Sequence, residues 1–259
     1  MDLQDQIVIV TGGGQGIGRA CALAMAKAGA NVAVVDINGE KAKLVAAEVT
    51  KLGRRALAIT ADLGSVPDID RMVTETVKMF GHVDALVNNA GVTRRADIMD
   101  LTEEDWDRIH RVNAKGVFFC LQRVAKEMIP RRSGRIINIA SVAGKGFRGT
   151  SNAVYAASKG AVISLTKTAA QQLGGYNINV NAVCPGVVLT DMVAALIKTD
   201  ADRLGISLQE AEKRFVADIP LKRANQPEDI ADMCVFLASP GARNVSGQSI
   251  NVDGALVPH

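Results

Sequence analysis

With 259 residues, 48% of them hydrophobic and 22% charged, the chain has an ordinary globular composition and enough length to bury a full core. Its formal charge of +3 is small and its basic residues are dispersed, so a nucleic-acid-binding surface is not expected. The cysteines and histidines show no metal-ligand spacing, and we see neither a secretory signal nor a membrane-spanning stretch, so we expect a cytoplasmic protein without a metal site.

The first predicted element is a buried strand that leads into a glycine-rich turn. Residues 6–11 form a continuous apolar run, residues 12–18 read GGGQGIG, and residues 20–28 have the pattern of a helix. A glycine turn between a strand and a helix points backbone N–H groups and the positive end of the helix at a phosphate. The spacing is Gly-x-x-x-Gly-x-Gly rather than Gly-x-Gly-x-x-Gly. We therefore predict a phosphate-binding turn in preference to a tight loop without a ligand.

An acidic residue ends the second predicted strand. Residues 31–35 are mostly apolar, and Asp36 follows them. A carboxylate there can accept hydrogen bonds from the adenosine ribose of NAD, and it would repel the extra phosphate of NADP. Gln15 supplies no cation in the glycine turn to offset that repulsion. We predict NAD as the cofactor; the alternative is an aspartate that only caps a turn or a helix.

Strands and helices alternate through the rest of the chain. The further predicted helices cover residues 40–52, 66–80, 103–128, about 155–165 and 227–237, and the further strands cover residues 55–61, 83–87, 134–139, 178–184 and 248–252. This alternation predicts a single α/β domain, residues 1–259, built on a doubly wound parallel sheet with helices on both faces. We expect a lid over the substrate at about residues 187–215.

Polar residues follow several of the predicted strands, where open α/β sheets bind their ligands. Asp62 follows the third strand, Asn88 and Asn89 follow the fourth, and Ser141 follows the fifth. Asn113 lies instead inside an apolar helical stretch, where a buried amide is unfavourable unless its hydrogen bonds are needed.

Tyr155 and Lys159 are four residues apart and would share one face of a helix. A neighbouring ammonium favours the ionised form of a phenol, which would equip Tyr155 for proton transfer at a ketone or an alcohol. Taken alone, such a pair is more often part of a solvated helix face.

Together these landmarks closely resemble the short-chain dehydrogenase/reductase family, and the resemblance covers essentially the whole sequence. The string TGGGQGIG at residues 11–18 resembles the cofactor turn of that family, and NNAG at residues 88–91 resembles its central-strand motif. The resemblance implies a single-domain Rossmann fold with a seven-stranded sheet. The catalytic positions of the family fall on Asn113, Ser141, Tyr155 and Lys159.

The resemblance also implies a role for each residue. Tyr155 would be the acid/base, and Lys159 would lower its pKa and bind the nicotinamide ribose. Ser141 would bind the substrate oxygen, and Asn113 would hold a water of a proton relay. The implied cofactor residues are Gly12, Gln15, Gly16, Ile17, Gly18, Asp36, Asp62, Leu63, Asn89, Ala90, Gly91, Tyr155, Lys159, Pro185, Gly186, Val188 and Thr190. The expected substrate contacts are Ser141, Tyr155, Val142, Lys145, Phe147 and Val187, with Arg148 as a further residue that could meet an anionic substrate.

We therefore predict an NAD(H)-dependent oxidoreductase that interconverts a secondary alcohol and a ketone, with a polyol, a sugar or a small cyclic or secondary alcohol as substrate. One alternative is an NADPH-dependent 3-ketoacyl-[acyl-carrier-protein] reductase, which Asp36 disfavours. A second alternative is a cofactor-sensing binding protein without catalysis, which the complete set of four catalytic residue types disfavours. The resemblance further implies a homotetramer.

Overall fold

Strands and helices alternate along the chain in the computed structural model, which describes residues 2–147 and 151–258. The strands of this described part are β1 Ile7–Thr11, β2 Asn31–Asp36, β3 Ala56–Thr60, β4 Ala85–Asn88, β5 Gly134–Ile139, β6 Ile178–Pro185 and β7 Ser249–Val252. Its α-helices are α1 Gly16–Lys27, α2 Gly39–Lys51, α3 Val66–Phe80, α4 Glu103–His110, α5 Val117–Met128, α6 Ala153–Leu173, α7 Asp191–Leu204, α8 Leu208–Phe215 and α9 Pro227–Ala238.

Neighbouring strands of the sheet all run parallel, in the order β3-β2-β1-β4-β5-β6-β7. The chain builds the sheet outward from β1 to β3 and then returns to the other side of β1 with β4. Ligands of such sheets bind at the carboxyl ends of the strands, next to this reversal. Among the described residues, the predicted doubly wound sheet of seven strands is confirmed.

The two faces of the sheet are covered by different helices. Val8 and Val10 of β1 pack in one cluster with residues of α1, α2 and α9. Ile9, between them, packs in another cluster with residues of α3, α5 and α6. Successive residues of a strand face opposite sides of the sheet, so a strand covered on both faces must be apolar throughout. This explains the continuous apolar run from which β1 was predicted.

The single helix predicted over residues 103–128 is wrong, because a π-helical turn interrupts it. A capping box between Thr102 and Asp105 begins α4 as expected, but Arg111–Gly116 form a π-helical turn before α5 starts. Gly116 approaches the backbone carbonyl oxygen of Leu63 so closely that an added Cβ would lie 2.4 Å from it. Apolar periodicity cannot reveal such a turn, because the residues on both sides stay helical. Turns of this kind are frequent at functional sites, and this one contains Asn113.

The other helices differ from prediction mainly at their ends. Helix α1 begins at Gly16, four residues earlier than predicted, so the last residues of the glycine turn form its first turn. Among the described residues, no helix is both long and apolar enough to cross a membrane.

Helices α7 and α8 occupy most of the segment predicted to be a lid. They pack on each other through a small cluster of their own, which contains Ile197, Ala201 and Ala211. Closure of this pair over a substrate, and the division of the chain into a single domain, remain predictions.

Candidate active site

A cavity of about 1060 Å³ lies at the carboxyl ends of β1, β2 and β4. It extends from the glycine turn to the segment that follows β6. Among the predicted cofactor residues, those that line it are Gly12, Gln15, Gly16, Ile17, Asp36, Asp62, Leu63, Asn89, Ala90, Gly91 and Thr190. Residues that are far apart in the sequence are thus brought together in one cavity beside the reversal of strand order.

Some predicted cofactor residues lie behind the cavity wall. Gly18 is buried in α1, and a Cβ on it would lie 2.0 Å from the carbonyl oxygen of Gly12, so only glycine allows the helix to approach the turn this closely. Val188 is buried in the core cluster beneath α1 and α9, and Gly186 packs against Asp253. The predicted cofactor residues that do not line this cavity are Gly18, Tyr155, Lys159, Pro185, Gly186 and Val188.

Asp36 is held in place by two backbone donors. Its Oδ2 accepts a hydrogen bond from the N–H of Gly14 at 2.9 Å, and its Oδ1 accepts one from the N–H of Asn38 at 2.9 Å. The side chain is mostly buried but lines the cavity. A carboxylate has about four acceptor positions, so two remain for hydroxyl groups of a ligand.

A cation that the sequence-based prediction missed lies beside Asp36. The amino group of Lys41, in the first turn of α2, donates a hydrogen bond to the side-chain oxygen of Gln15, and both side chains line the cavity. A Cβ on Gly14 would lie 2.8 Å from the Cβ of Lys41 and 2.9 Å from Oδ2 of Asp36. The expectation that no cation offsets the charge of Asp36 is therefore wrong. No sequence motif marks Lys41. It comes near Gln15 only because β2 pairs beside β1, which places the start of α2 next to the glycine turn.

Tyr155, Ser141 and Lys159 meet at the carboxyl end of β5. The side chain of Asn152 caps α6 by accepting a hydrogen bond from the N–H of Tyr155 at 2.8 Å. The hydroxyl of Ser141 lies close enough to the phenol of Tyr155 to lower its pKa. One turn further along α6, Nζ of Lys159 lies 5.7 Å from the centre of the Tyr155 ring and donates to the carbonyl oxygen of Ile139 at 2.7 Å.

The electrostatics of this group differ from the prediction. Burial raises the pKa of Tyr155, and the nearby hydroxyl of Ser141 offsets this only in part. Burial also lowers the pKa of Lys159 to about 8. The lowered pKa expected for Tyr155 is thus not found in the protein alone. The phenol is protonated at neutral pH, which is the form that can donate a proton to a ketone oxygen.

Asn113 is fully buried and its amide is used for structure. It accepts a hydrogen bond from the N–H of Val92 at 2.8 Å, and it donates to the carbonyl oxygen of Val92 at 2.9 Å and to Oγ of Ser158 at 3.2 Å. Oγ of Ser158 donates to the carbonyl oxygen of Tyr155 at 2.7 Å. The amide therefore ties the cavity wall to the helix that carries Tyr155. That Asn113 also holds a water remains a prediction.

The expected substrate residues lie mostly away from the cavity. Val142 is fully buried in a cluster against which Phe147 packs, and Nζ of Lys145 donates to the carbonyl oxygen of Ser249 on β7 at 2.8 Å. Val187 is partly exposed, and its carbonyl oxygen accepts hydrogen bonds from Asn225. Arg148 lies outside the described residues. Burial and backbone contacts thus argue against direct substrate contact for Val142 and Lys145.

Comparison with known proteins identifies the family. A family model described as enoyl-(acyl carrier protein) reductase matches residues 12–256. The 3-oxoacyl-[acyl-carrier-protein] reductase FabG of Staphylococcus epidermidis is 41% identical over 250 residues, which cover 96% of this chain and 97% of the relative. The chain belongs to the short-chain dehydrogenase/reductase family. It is therefore an oxidoreductase of a family that uses a nicotinamide cofactor.

Other short-chain dehydrogenases/reductases match over nearly their full length. A 3-oxoacyl-[acyl-carrier-protein] reductase of Synechocystis sp. is 40% identical over 258 residues, or 98% of each chain. The crystal structure of levodione reductase superposes with a TM-score of 0.89 at 33% identity and covers 97% of both chains. A short-chain type dehydrogenase/reductase from Mycobacterium marinum has a TM-score of 0.90 at 32% identity, with 100% of this chain and 98% of the other covered.

Proposed function

We propose that this protein interconverts a ketone and a secondary alcohol with NAD(H), and that Tyr155 is the acid/base. The observation that carries the proposal is the placement of Tyr155, Ser141 and Lys159 together at the carboxyl edge of the sheet. This is the edge at which the cavity with Asp36 lies.

The cavity suits a nicotinamide dinucleotide. Gly18 lets the positive end of α1 approach the glycine turn, where a pyrophosphate would lie. Asp36 offers acceptors for ribose hydroxyl groups, and Asp62 and Leu63 would border the adenine. When bound, the cofactor supplies or receives the hydride, and the protein contributes position and electrostatics.

The protein's own residues handle the proton and the substrate oxygen. In reduction, Tyr155 would donate its phenolic proton to the ketone oxygen, and Ser141 would donate a hydrogen bond that stabilises the charge developing there. The ammonium of Lys159 would stabilise the phenolate that remains. Asn113 would maintain this arrangement through Val92 and Ser158, and its water-holding role is carried over from the family resemblance.

For the substrate, the relatives favour the alternative function over the polyols and sugars expected from the sequence. Both curated relatives described above are 3-oxoacyl-[acyl-carrier-protein] reductases. We therefore propose a 3-oxoacyl thioester as the first substrate class. A small cyclic ketone is the second candidate, because levodione reductase superposes over nearly the whole chain.

For the cofactor, Asp36 supports NAD(H), and Lys41 reduces the preference for NADH over NADPH. The carboxylate of Asp36 is mostly buried, whereas Lys41 is exposed to solvent, which screens its charge. The repulsion of an added ribose phosphate by Asp36 should therefore outweigh its attraction to Lys41. We propose that NADH is preferred and that NADPH is used measurably.

The test is a set of initial rates on the purified protein. Acetoacetyl-coenzyme A, cyclic ketones, sugars and polyols are compared with NADH and NADPH, or with NAD and NADP for the alcohols. Replacing Tyr155 with Phe should lower kcat about a thousandfold with little change in NADH binding. Tyr176→Phe changes the other tyrosine, which is partly exposed beyond α6, and should have no effect. Cofactor binding without turnover on any substrate would favour the non-catalytic alternative.

We also propose a cytoplasmic homotetramer. The family resemblance supports the tetramer, and the free thiols of Cys21, Cys120, Cys184 and Cys234 are compatible with a reducing compartment. Sedimentation of the purified protein would test the assembly.

A further inference from the structure

The π-helical turn Arg111–Gly116 contacts two separate parts of the cavity wall. On one side, Nη1 of Arg111 donates a hydrogen bond to Oδ2 of Asp62 at 2.8 Å. On the other side, Asn113 makes its paired hydrogen bonds with the backbone of Val92. Because Asp62 and Val92 both line the cavity, the turn bridges two separate parts of its wall.

The contact between Arg111 and Asp62 is closely fitted. The guanidinium packs against Gly64 so tightly that a Cβ there would lie 2.5 Å from Nη1 of Arg111. The second carboxylate oxygen of Asp62 accepts a hydrogen bond from the N–H of Gly64 at 2.8 Å. Burial opposes ionisation of Asp62, but these two donors outweigh it, so the pKa of Asp62 is lowered. The carboxylate is thus ionised and fixed in orientation at neutral pH.

The turn itself has little room to adjust. Gly116 lies against the carbonyl oxygen of Leu63, and the side chain of Asn113 is fully buried with three hydrogen bonds. Close packing and a satisfied buried network transmit a displacement rather than absorb it. From Asn113 the network continues through Ser158 to the backbone of Tyr155.

We infer that Arg111 is a positioning residue, through which a ligand at the adenosine end of the cavity orders the catalytic segments around Asn113 and Tyr155. This inference rests on the proposed function, because it requires a dinucleotide in the cavity. The ion pair of Arg111 and Asp62 is about half exposed on the arginine side, with 47% of that side chain accessible. Pairs this exposed contribute little to stability. Loss of Arg111 should therefore weaken the coupling between the two ends far more than it lowers Tm.

The test uses ADP-ribose, which has the adenosine end of the cofactor but no nicotinamide. Hydrogen exchange of the backbone amides is followed by mass spectrometry with and without this probe, in peptides that cover residues 61–64, 90–93, 111–116 and 153–160. The variants are Arg111→Gln and Arg111→Lys. Arg123→Gln is the control, since Arg123 pairs with Asp70 and Glu127 and does not line the cavity.

We expect ADP-ribose to protect all four segments in the wild type and in Arg123→Gln. In Arg111→Gln, protection should persist at residues 61–64 but fall about fivefold at residues 111–116 and 153–160, with a similar fall in kcat. Arg111→Lys should recover part of both effects, because it keeps a cation at Asp62.

Three outcomes would overturn the inference. Undiminished protection of residues 153–160 in Arg111→Gln would show that the ends are not coupled through this residue. Loss of protection everywhere, together with a lowered Tm, would assign Arg111 a purely structural role. Failure of the wild type to bind either ADP-ribose or NADH would contradict the proposed function as well. If the wild type binds the cofactor and reduces the ketone, and Arg111→Gln behaves like the wild type, only this inference is contradicted.

Discussion

The N–H of Gly14 donates a hydrogen bond to Oδ2 of Asp36 at 2.9 Å, which joins the glycine turn to the end of β2. The other oxygen accepts from the N–H of Asn38, so the carboxylate cannot turn away from the cavity without losing a bond. Its charge is therefore held at a fixed point beside the place where we expect the adenosine ribose. The choice between the two nicotinamide cofactors should depend on this point.

Replacing Asp36 with Asn should reverse or abolish the preference for NADH. The amide keeps the size of the side chain but removes the negative charge that repels a ribose phosphate, and it replaces an acceptor with a donor. We expect KM for NADH to rise about tenfold and KM for NADPH to fall, with kcat changed little. A tenfold change corresponds to about 1.4 kcal/mol of binding free energy, which is the size expected for a lost hydrogen bond to a charged group. Steady-state kinetics with both cofactors would measure this. An unchanged ratio of kcat/KM for NADH and NADPH would contradict the role given to Asp36.

Replacing Lys41 with Ala should lower the use of NADPH selectively. The ammonium beside Gln15 is the cation that would meet an added ribose phosphate. We expect kcat/KM for NADPH to fall about fivefold and that for NADH to change less than twofold, as for an exposed, screened charge. Lys43→Ala is the matched control, because Lys43 is in the same helix but pairs with Glu40. Equal losses with both cofactors would show that Lys41 only stabilises the glycine turn.

The fold class and the pairing of Tyr155 with Lys159 on one helix could be predicted because their signals are local. Buried strands of a parallel sheet are apolar on both faces, and Tyr155 and Lys159 share a helix face by spacing alone. The order of the strands does not follow from this alternation, and the approach of Ser141 to Tyr155 was implied only by the family resemblance.

The features that prediction missed depend on contacts between distant segments. Lys41 reaches Gln15 across 26 positions of the sequence. The π-helical turn is placed by Gly116 against Leu63 and by Asn113 against Val92, and neither contact changes the apolar period of the helix. Val142 was predicted to contact the substrate, yet it lies in a 3₁₀ turn and is buried in the core.

Ketone reduction should slow as the pH rises through about 8. Burial raises the pKa of Tyr155, so the proton-donating phenol persists to high pH. Burial lowers the pKa of Lys159 to about 8, so its ammonium loses a proton within the accessible range. Above that pH the cation that stabilises the developing phenolate is gone, and proton transfer becomes less favourable.

The measurement is kcat/KM for the ketone with saturating NADH from about pH 6 to about pH 10, with the ionic strength held constant; the pH range brackets the value given for Lys159. NADH binding is titrated at the same pH values, so that weaker cofactor binding is separated from slower chemistry. A rate that is flat or rising through pH 8 would contradict the assignment of Lys159 as the titrating cation.

Replacing Gly18 with Ala should destabilise the protein and weaken cofactor binding together. The added Cβ would lie 2.0 Å from the carbonyl oxygen of Gly12, so either α1 or the glycine turn must shift. We expect a loss of about 2–4 kcal/mol in the free energy of unfolding, as for other severe backbone clashes.

Gly174→Ala is the matched control, because a Cβ there meets nothing within 4 Å at the end of α6 and its φ of −57° suits alanine. That variant should be neutral or slightly stabilising, since alanine restricts the unfolded chain. Thermal unfolding with and without NADH measures both effects. If Gly18→Ala kept the wild-type Tm and the wild-type shift on adding NADH, the close approach of α1 to the glycine turn would not be what creates the cofactor site.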